Sequence, residues 1–248
     1  MIRWLVVCFG VVALAVPVSV LATGGPPLLV AKCGDAAGIA AKPFLLATED
    51  GVHLYAIDAG SGSVAVVLVH ESPGDLCGWL PYIPSLTAAG LRVLAFDLRG
   101  FGNSGHPEAA TAYSRDLRAA IAHVRADGAT HVFLVGASFG GAVVLTYAPS
   151  LTIDGVISLS GETYLPSARA NPLRSIRHLH APLLIVGSRR DRALPIPDAL
   201  TLLRRAPTKD KHTAFYGGGW HGWAIVENAP YAPKARALIL KWIKIRSS

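Results

Sequence analysis

Short apolar runs alternate with longer, partly polar stretches along most of the chain. Runs such as Val64–Val69 and 131–135 consist almost entirely of aliphatic, β-branched and aromatic residues, which is typical of strands buried on both faces. The stretches between such runs have helical character, and helices are expected at 76–89, 113–126, 139–148, 196–205 and 231–245. Alternating strands and helices predict an α/β fold with a mostly parallel central sheet and helices on both faces.

Two runs at the start of the predicted sheet are connected differently. Segments 44–48 and 52–57 flank the turn dipeptide Asp50-Gly51, which predicts an N-terminal antiparallel hairpin at the sheet edge. The remaining strands are expected at 91–96, 154–160, 182–187 and 212–216. The chain has 248 residues and no internal repeat or low-complexity segment, so residues 44–248 are expected to form one domain with a substantial core.

The pentapeptide Gly-Ala-Ser-Phe-Gly at 136–140 lies between a predicted strand and a predicted helix. The pattern G-x-S-x-G is common by chance, but in a sharp strand-to-helix turn it projects the hydroxyl of Ser138 above the sheet edge. The flanking glycines are needed in such a turn because a Cβ would clash with the neighbouring strand or helix. The alternative is an ordinary strand–helix turn with an incidental serine.

From about Phe44 to its end, the chain resembles the α/β-hydrolase superfamily, in which this turn is the nucleophile elbow. The resemblance implies a catalytic triad in the chain order Ser, Asp or Glu, His. Asp191 follows the predicted strand 182–187, and His221 lies in a glycine-rich loop after the last strand. We therefore predict that Ser138 is the nucleophile, His221 its general base and Asp191 the acid that orients the base.

Two members of this triad have alternatives. Asp191 has arginine neighbours on both sides, so its alternative role is that of a surface ion-pair residue, with Glu162 as the substitute acid. His212 competes with His221 but falls inside a predicted strand. The serine at the elbow argues against dehalogenase or epoxide-hydrolase chemistry, because those members of the superfamily use an aspartate there.

A serine hydrolase also needs two backbone N–H groups that bind the oxyanion. The resemblance implies that they belong to Phe139, directly after the nucleophile, and to Glu71, in the loop after the strand Val64–Val69. The superfamily most often has His-Gly where this chain has His70-Glu71. The Glu71 carboxylate is expected either to turn away and pair with a neighbour or to repel anionic substrates. His70 is expected to be a structural hydrogen-bonding residue under the loop.

The stretch 97–104 has the pattern D-x-R-G-x-G-x-S, which recurs in α/β-hydrolases before the elbow strand. We expect a structural role in which Asp97 and Arg99 bond to the backbone or to each other. The stretch lacks the pattern of a phosphate-binding loop.

Many members of the superfamily carry a large cap after the sixth strand. Here only residues 161–181 separate two predicted strands, which leaves room for a loop and one short helix at 172–179. A minimal cap and a shallow, exposed pocket are therefore expected.

The N-terminus predicts export. Arg3 precedes an uncharged apolar run, 4–22, that ends Val-Leu-Ala, which is a signal-peptide pattern with cleavage after Ala22. The alternative is an uncleaved membrane anchor, since the run is close to the length that spans a bilayer. Residues 23–43 would then be an N-terminal extension of a secreted, periplasmic or cell-envelope protein.

Cleavage would remove Cys8 and leave Cys33 and Cys77, an even pair in an oxidising compartment. We predict a disulfide that ties the extension beside the loop after the third strand. Two free thiols are the alternative.

The net charge of +7 fits either association with a membrane or anionic cell envelope or a merely solubilising surface. Nucleic-acid binding is not expected, because charge is the only signature of it. The nine histidines show none of the His/Cys spacing of zinc sites, so neither a metal nor a cofactor is implied.

These features together predict an exported serine hydrolase that cleaves carboxylic esters, or related acyl bonds, of small-molecule substrates through an acyl-enzyme. Two alternatives stay open. One is acyl transfer or cofactor-free perhydrolysis on the same triad, and the other is a non-catalytic binding protein on a hydrolase fold.

Overall fold

The computed structural model describes residues 32–34, 39–107, 111–165 and 170–248. The predicted signal segment 1–22 and most of the extension 23–43 lie outside these ranges. Of the helices in the described ranges, none has the length and hydropathy needed to cross a bilayer.

A single eight-stranded sheet organises the described part of the chain, with the strand order β1-β2-β4-β3-β5-β6-β7-β8. β1 pairs antiparallel with β2, β2 pairs antiparallel with β4, and all other neighbours are parallel. The strands are β1 Ala41–Ala47, β2 His53–Ala59, β3 Val64–Val69, β4 Arg92–Phe96, β5 His131–Ala137, β6 Gly155–Leu159, β7 Leu183–Ser188 and β8 Lys211–Tyr216. The predicted α/β-hydrolase fold with its N-terminal hairpin is thereby confirmed.

Helices cover both faces of the sheet, because successive side chains of each strand point to opposite sides. In β3, Val67 and Val69 belong to one apolar cluster, and Val66 and Leu68 belong to the other. The α-helices are α1 Ile83–Thr87, α2 Tyr113–Ala126, α3 Phe139–Tyr147, α4 Pro172–Ser175, α5 Ile196–Arg205, α6 Ala224–Glu227 and α7 Ala232–Arg246. The first cluster includes buried residues of α2, α3 and α5, and the second includes buried residues of α1, α6 and α7.

The single helix predicted at 76–89 is wrong. The structure has a 3₁₀-helix, Leu76–Trp79, followed by the separate helix α1. Two prolines explain the break: Pro81 lies between the two pieces, and Pro84 lies in the first turn of α1, where its missing N–H costs no hydrogen bond.

The cap is minimal, as predicted. The segment expected to form one short helix at 172–179 is divided into α4 and a 3₁₀-helix, Ile176–His178. Asn171 caps α4 by accepting a hydrogen bond from the backbone N–H of Arg174, at 3.0 Å.

The 97–104 loop is held by two separate sets of bonds. Asp97 accepts backbone hydrogen bonds from Leu76 and Asn103, at 2.9 and 2.7 Å. The fully buried Arg99 instead donates to Asp116 of α2, at 2.7 Å, and to Asp50 of the β1–β2 turn, at 2.8 Å. The expectation that the Arg99 side chain bonds to the backbone or to Asp97 is therefore wrong, because the loop directs it towards two carboxylates that are distant in sequence.

A disulfide joins Cys33 to Cys77, as predicted, with the two Cα atoms 5.5 Å apart and a sequence separation of 44. Lys32 lies beside it and forms ion pairs with Asp97, at 2.8 Å, and Asp75, at 3.0 Å. These bonds attach residues 32–34 to the loops that follow β3 and β4.

Candidate active site

The elbow at Ser138 is a sharp turn between β5 and α3. Ser138 has φ 47° and ψ −113°, a strained conformation for a residue with a side chain. A Cβ on Gly136 would overlap the carbonyl of Gly140, and a Cβ on Gly140 would overlap the carbonyl of Val69. The glycines therefore allow the close packing that holds the serine at the carboxyl end of the sheet.

The structure brings the three predicted triad residues together. Ser138 Oγ lies 2.7 Å from His221 Nε2, and His221 Nδ1 lies 2.9 Å from Asp191 Oδ2. These residues follow β5, β8 and β7, so they converge because parallel strands end at the same edge of the sheet. A carboxylate only accepts hydrogen bonds, so Nδ1 carries a proton and Nε2 is free to accept the proton of the Ser138 hydroxyl.

Asp191 is buried, and its carboxylate contacts the His221 ring rather than an arginine. The backbone N–H of Ala193 also donates to it, at 2.9 Å. Burial opposes ionisation, but the hydrogen bonds from His221 and Ala193 outweigh it and hold the pKa of Asp191 below its usual value. Asp191 is therefore a carboxylate at neutral pH.

The His221 side chain is 31% exposed, which leaves the ring reachable from solvent. Its hydrogen bond to Asp191 raises the pKa of His221, and the charges of Glu71 and Glu162 act in the same direction against the effect of burial. Glu162 affects His221 through its charge and forms no hydrogen bond with it. The other candidate base, His212, belongs to β8, and its Nε2 lies 3.1 Å from Oδ1 of Asp210.

The loop after β3 is anchored by His70, which is fully buried. Its Nε2 accepts a hydrogen bond from the backbone N–H of Leu98, at 3.0 Å, so its Nδ1 carries the proton and donates to the carbonyl of Glu71, at 2.8 Å. Burial lowers the pKa of His70, which keeps the ring neutral. His70 thus has the structural contacts expected of it.

The Glu71 side chain turns towards the loop that carries His221. Its Oε2 accepts a hydrogen bond from the backbone N–H of Trp223, at 3.1 Å. Of the two outcomes expected for this carboxylate, the structure contains the pairing with a neighbour. Sequence reasoning missed the partner, Trp223, although the adjacent Gly222, with φ 56°, marks a special backbone conformation directly after the predicted base.

Two other polar clusters lie apart from the triad. Asp58, His123 and Asp127 have the donor atoms of a metal site, but the Arg92 guanidinium is 3.0 Å from both carboxylates and already forms ion pairs with them. A surface depression of about 600 Å³ is lined by Tyr164, Asn171, Leu173, Arg174, Arg177 and Arg205. Neither cluster includes a triad residue.

The architecture is shared with known proteins. Residues 64–172, from β3 to the start of α4, match the family model of the alpha/beta hydrolase fold. Among solved structures, an esterase of Pyrococcus furiosus has a TM-score of 0.74 at 17% identity, over 85% of this chain and 92% of that chain. The chain has the α/β-hydrolase fold.

The same fold occurs in an esterase of Exiguobacterium antarcticum, with a TM-score of 0.66 at 15% identity, over 81% of this chain and 98% of that chain. Among curated proteins, epoxide hydrolase A of Mycobacterium tuberculosis is 37% identical over 137 residues, which are 53% of this chain and 42% of that protein. The match thus spans less than half the length of that relative.

Proposed function

We propose that this α/β-hydrolase is an exported serine hydrolase that cleaves carboxylic esters or related acyl bonds. The observation that carries the proposal is the contact between Ser138 Oγ and His221 Nε2, 2.7 Å long, at a serine with positive φ. A hydroxyl is a weak nucleophile at its own pKa, and a neutral imidazole at this distance can remove its proton as it attacks.

In the proposed reaction, Ser138 Oγ attacks the acyl carbon while its proton moves to His221 Nε2. Asp191 stabilises the imidazolium that forms, through its bond to Nδ1. The tetrahedral intermediate collapses when His221 returns the proton to the leaving alcohol, and an acyl-enzyme remains. Water activated by His221 then hydrolyses the acyl-enzyme, so these steps need only the chain's own groups and water.

The oxyanion is proposed to bind the backbone N–H groups of Phe139 and Glu71. Phe139 is the first residue of α3, where a backbone N–H has no acceptor within the helix. The Glu71 carbonyl accepts a hydrogen bond from the His70 ring, which holds the backbone at Glu71 without using its N–H. Loss of one such donor in other hydrolases lowers the rate constant by about 10² to 10³-fold.

Ester chemistry fits the serine better than the epoxide opening named for the curated relative. Attack by Ser138 on an epoxide carbon would leave an ether, which activated water does not readily cleave. Attack on an acyl carbon leaves an ester, which the same histidine can hydrolyse. The nucleophile therefore favours acyl substrates.

Labelling with a fluorophosphonate probe tests the proposal directly. The mature protein should label, and labelling and ester hydrolysis should both disappear in Ser138→Ala and after heat denaturation. A folded protein that does not label would contradict the proposal and favour the non-catalytic binding protein. Competing alcohols or peroxide would separate hydrolysis from acyl transfer and perhydrolysis, by their products.

Export is proposed from the apolar segment 4–22 and from the Cys33–Cys77 disulfide, which is typical of proteins outside the reducing cytosol. N-terminal sequencing of the protein recovered from cell fractions tests it. A new terminus after Ala22 is expected, whereas an intact Met1 in the membrane fraction would indicate an anchor. Cosedimentation with anionic vesicles, compared with neutral ones, tests association with the envelope.

A further inference from the structure

Two loops meet above the carboxyl ends of the strands. We call residues 70–75, after β3, the oxyanion loop and residues 217–223, after β8, the base loop. β5, β6 and β7 lie between these two strands in the sheet, so the two loops are not joined through neighbouring strands. A hydrogen bond from the backbone N–H of Trp223 to Glu71 Oε2 joins them, at 3.1 Å.

The contact surface is shaped around the Glu71 carboxylate and the Trp223 ring. Gly222 has φ 56°, and a Cβ there would overlap Glu71 Oε2. The Trp223 ring lies so close to Gly74 that a Cβ on Gly74 would be 2.6 Å from the ring, and a Cβ on Gly78 would overlap it. Glycines on both loops thus make room for one carboxylate and one indole.

Both ends of Glu71 are held. Its carbonyl accepts a hydrogen bond from the buried His70, at 2.8 Å, and its carboxylate holds Trp223, two residues after the base. A shift of the base loop relative to the oxyanion loop would break the second bond. The bond therefore couples the position of the His221 ring to that of the Glu71 peptide.

The charged groups that face His221 come from three loops: Asp191 after β7, Glu162 after β6 and Glu71 after β3. Glu227 of α6 faces Glu71, but burial, opposed by Arg236, raises the pKa of Glu227 to about 8, so Glu227 is largely protonated at neutral pH. Burial also raises the pKa of Glu71, whereas Trp223 and His221 favour its ionised form. Glu71 is thus the carboxylate on the oxyanion side of the base.

We propose that Glu71 is a positioning residue: its carboxylate fastens the oxyanion loop to the base loop, and its negative charge stabilises the protonated form of His221. Its catalytic consequence rests on the proposed serine-hydrolase function. In this arrangement the loop that presents an oxyanion donor also sets the position and basicity of the base.

Three variants separate the bond from the charge. Glu71→Gln keeps an oxygen that can accept from Trp223 but removes the charge. Glu71→Ala removes both. The matched control is Glu162→Gln, which also removes a charge that faces His221 but breaks no bond between the loops.

For Glu71→Gln, we expect the acid limb of the pH profile of kcat/KM to move to lower pH, because a charge that favours the imidazolium is lost. For Glu71→Ala, we expect the same shift, a further loss of about tenfold in kcat/KM and faster hydrogen exchange at the Trp223 amide. Glu162→Gln should shift the limb less and leave the exchange of that amide unchanged.

The titration of His221 followed by NMR and the exchange of the Trp223 amide need no turnover, so they judge the role of Glu71 separately from the reaction. An unchanged His221 pKa in Glu71→Gln, or wild-type exchange at Trp223 in Glu71→Ala, would overturn the inference. If Glu71→Ala does not fold, a His221 pKa in Glu71→Gln equal to wild type still refutes the effect of charge. A wild-type protein that fails to label with fluorophosphonate would instead refute the proposed function.

Discussion

Charged groups are brought together in two regions of this molecule, at the triad and at Arg99. Arg99 is fully buried, and its Nε, Nη1 and Nη2 all donate to the carboxylates of Asp116 and Asp50. In the triad, a similar charge-assisted bond between Asp191 and His221 ends at the hydroxyl of Ser138, and the His221 ring is still partly exposed.

The two networks differ in whether their hydrogen-bonding groups all have partners within the protein. Around Arg99 each of the three guanidinium nitrogens has a carboxylate acceptor, so the network holds the β1–β2 turn, α2 and the loop after β4 together. In the triad the chain of hydrogen bonds stops at a serine at the sheet edge, where a substrate can enter. The same kind of interaction thus stabilises the fold where every guanidinium nitrogen has an acceptor, and under the proposed function it activates a nucleophile where one end remains open.

The largest effect is expected when the open network of Ser138, His221 and Asp191 is broken. Asp191→Asn should lower kcat by about 10⁴-fold, because an amide in place of the carboxylate favours the wrong tautomer of His221 and cannot stabilise its cation. The melting temperature should change little. Steady-state kinetics and thermal denaturation of the same preparation check both expectations, and a loss of less than tenfold would mean that Asp191 does not orient the base.

The next largest effect is expected when the closed network around Arg99 is broken. Arg99→Met should lower the free energy of unfolding by about 3–5 kcal/mol, because it leaves the buried Asp116 carboxylate without its cation. The protein that remains folded should keep kcat within a few-fold of wild type. Urea denaturation and active-site titration measure the two quantities, and a large fall in kcat per folded molecule would contradict a purely structural role.

Removal of the disulfide tests how residues 32–34 are attached to the loop after β3, beside the triad. Replacing Cys33 and Cys77 together by serine should lower the free energy of unfolding by about 4 kcal/mol in the chain-entropy model for a loop of 44 residues. The ion pairs of Lys32 with Asp75 and Asp97 should be weakened as well. Denaturation with and without a reductant checks this for the wild type, and an unchanged midpoint would mean that the bridge adds no stability.

The pH dependences of activity and of stability should distinguish the triad from the Arg99 network without any mutation. His221 must be neutral to act as a base, and its pKa is raised from 6.5, so activity should fall as the pH decreases through that raised value. Arg99 holds the pKa of Asp50 well below its usual value of 3.8, so the stability contributed by that ion pair is lost only as the pH falls below about 3.8. Near pH 5 the protein should therefore be folded but inactive. Parallel profiles of kcat/KM and melting temperature check this, and a simultaneous loss of both would contradict it.

Much of the fold followed from local patterns. The apolar run of β3, the elbow between β5 and α3, and the helices α2 and α5 lie at the predicted positions, because burial on both faces and helical character are local properties. The helix predicted at 76–89 failed because two prolines outweighed its otherwise helical composition. The short helix α6 was missed, since four residues are too few to show a period.

The candidate site divides in the same way. The residue types of the triad and their order along the chain are visible in the sequence, and the glycines at 136 and 140 mark the turn that carries Ser138. The partner of the Glu71 carboxylate was not visible, because Trp223 is 152 positions away along the chain. The partners of Arg99 were missed for the same reason, since Asp50 and Asp116 are 49 and 17 positions away.

The sequence by itself determined the alternation of strands and helices, the elbow serine and the two residues after later strands that are proposed as acid and base. These features depend on neighbours within a few positions, where propensity and steric limits act. Only the tertiary structure decided that Asp191 rather than Glu162 bonds His221, and that Glu71 turns to the base loop. Those choices depend on the order in which β3, β5, β6, β7 and β8 lie side by side, because that order sets which loop ends come within hydrogen-bond distance.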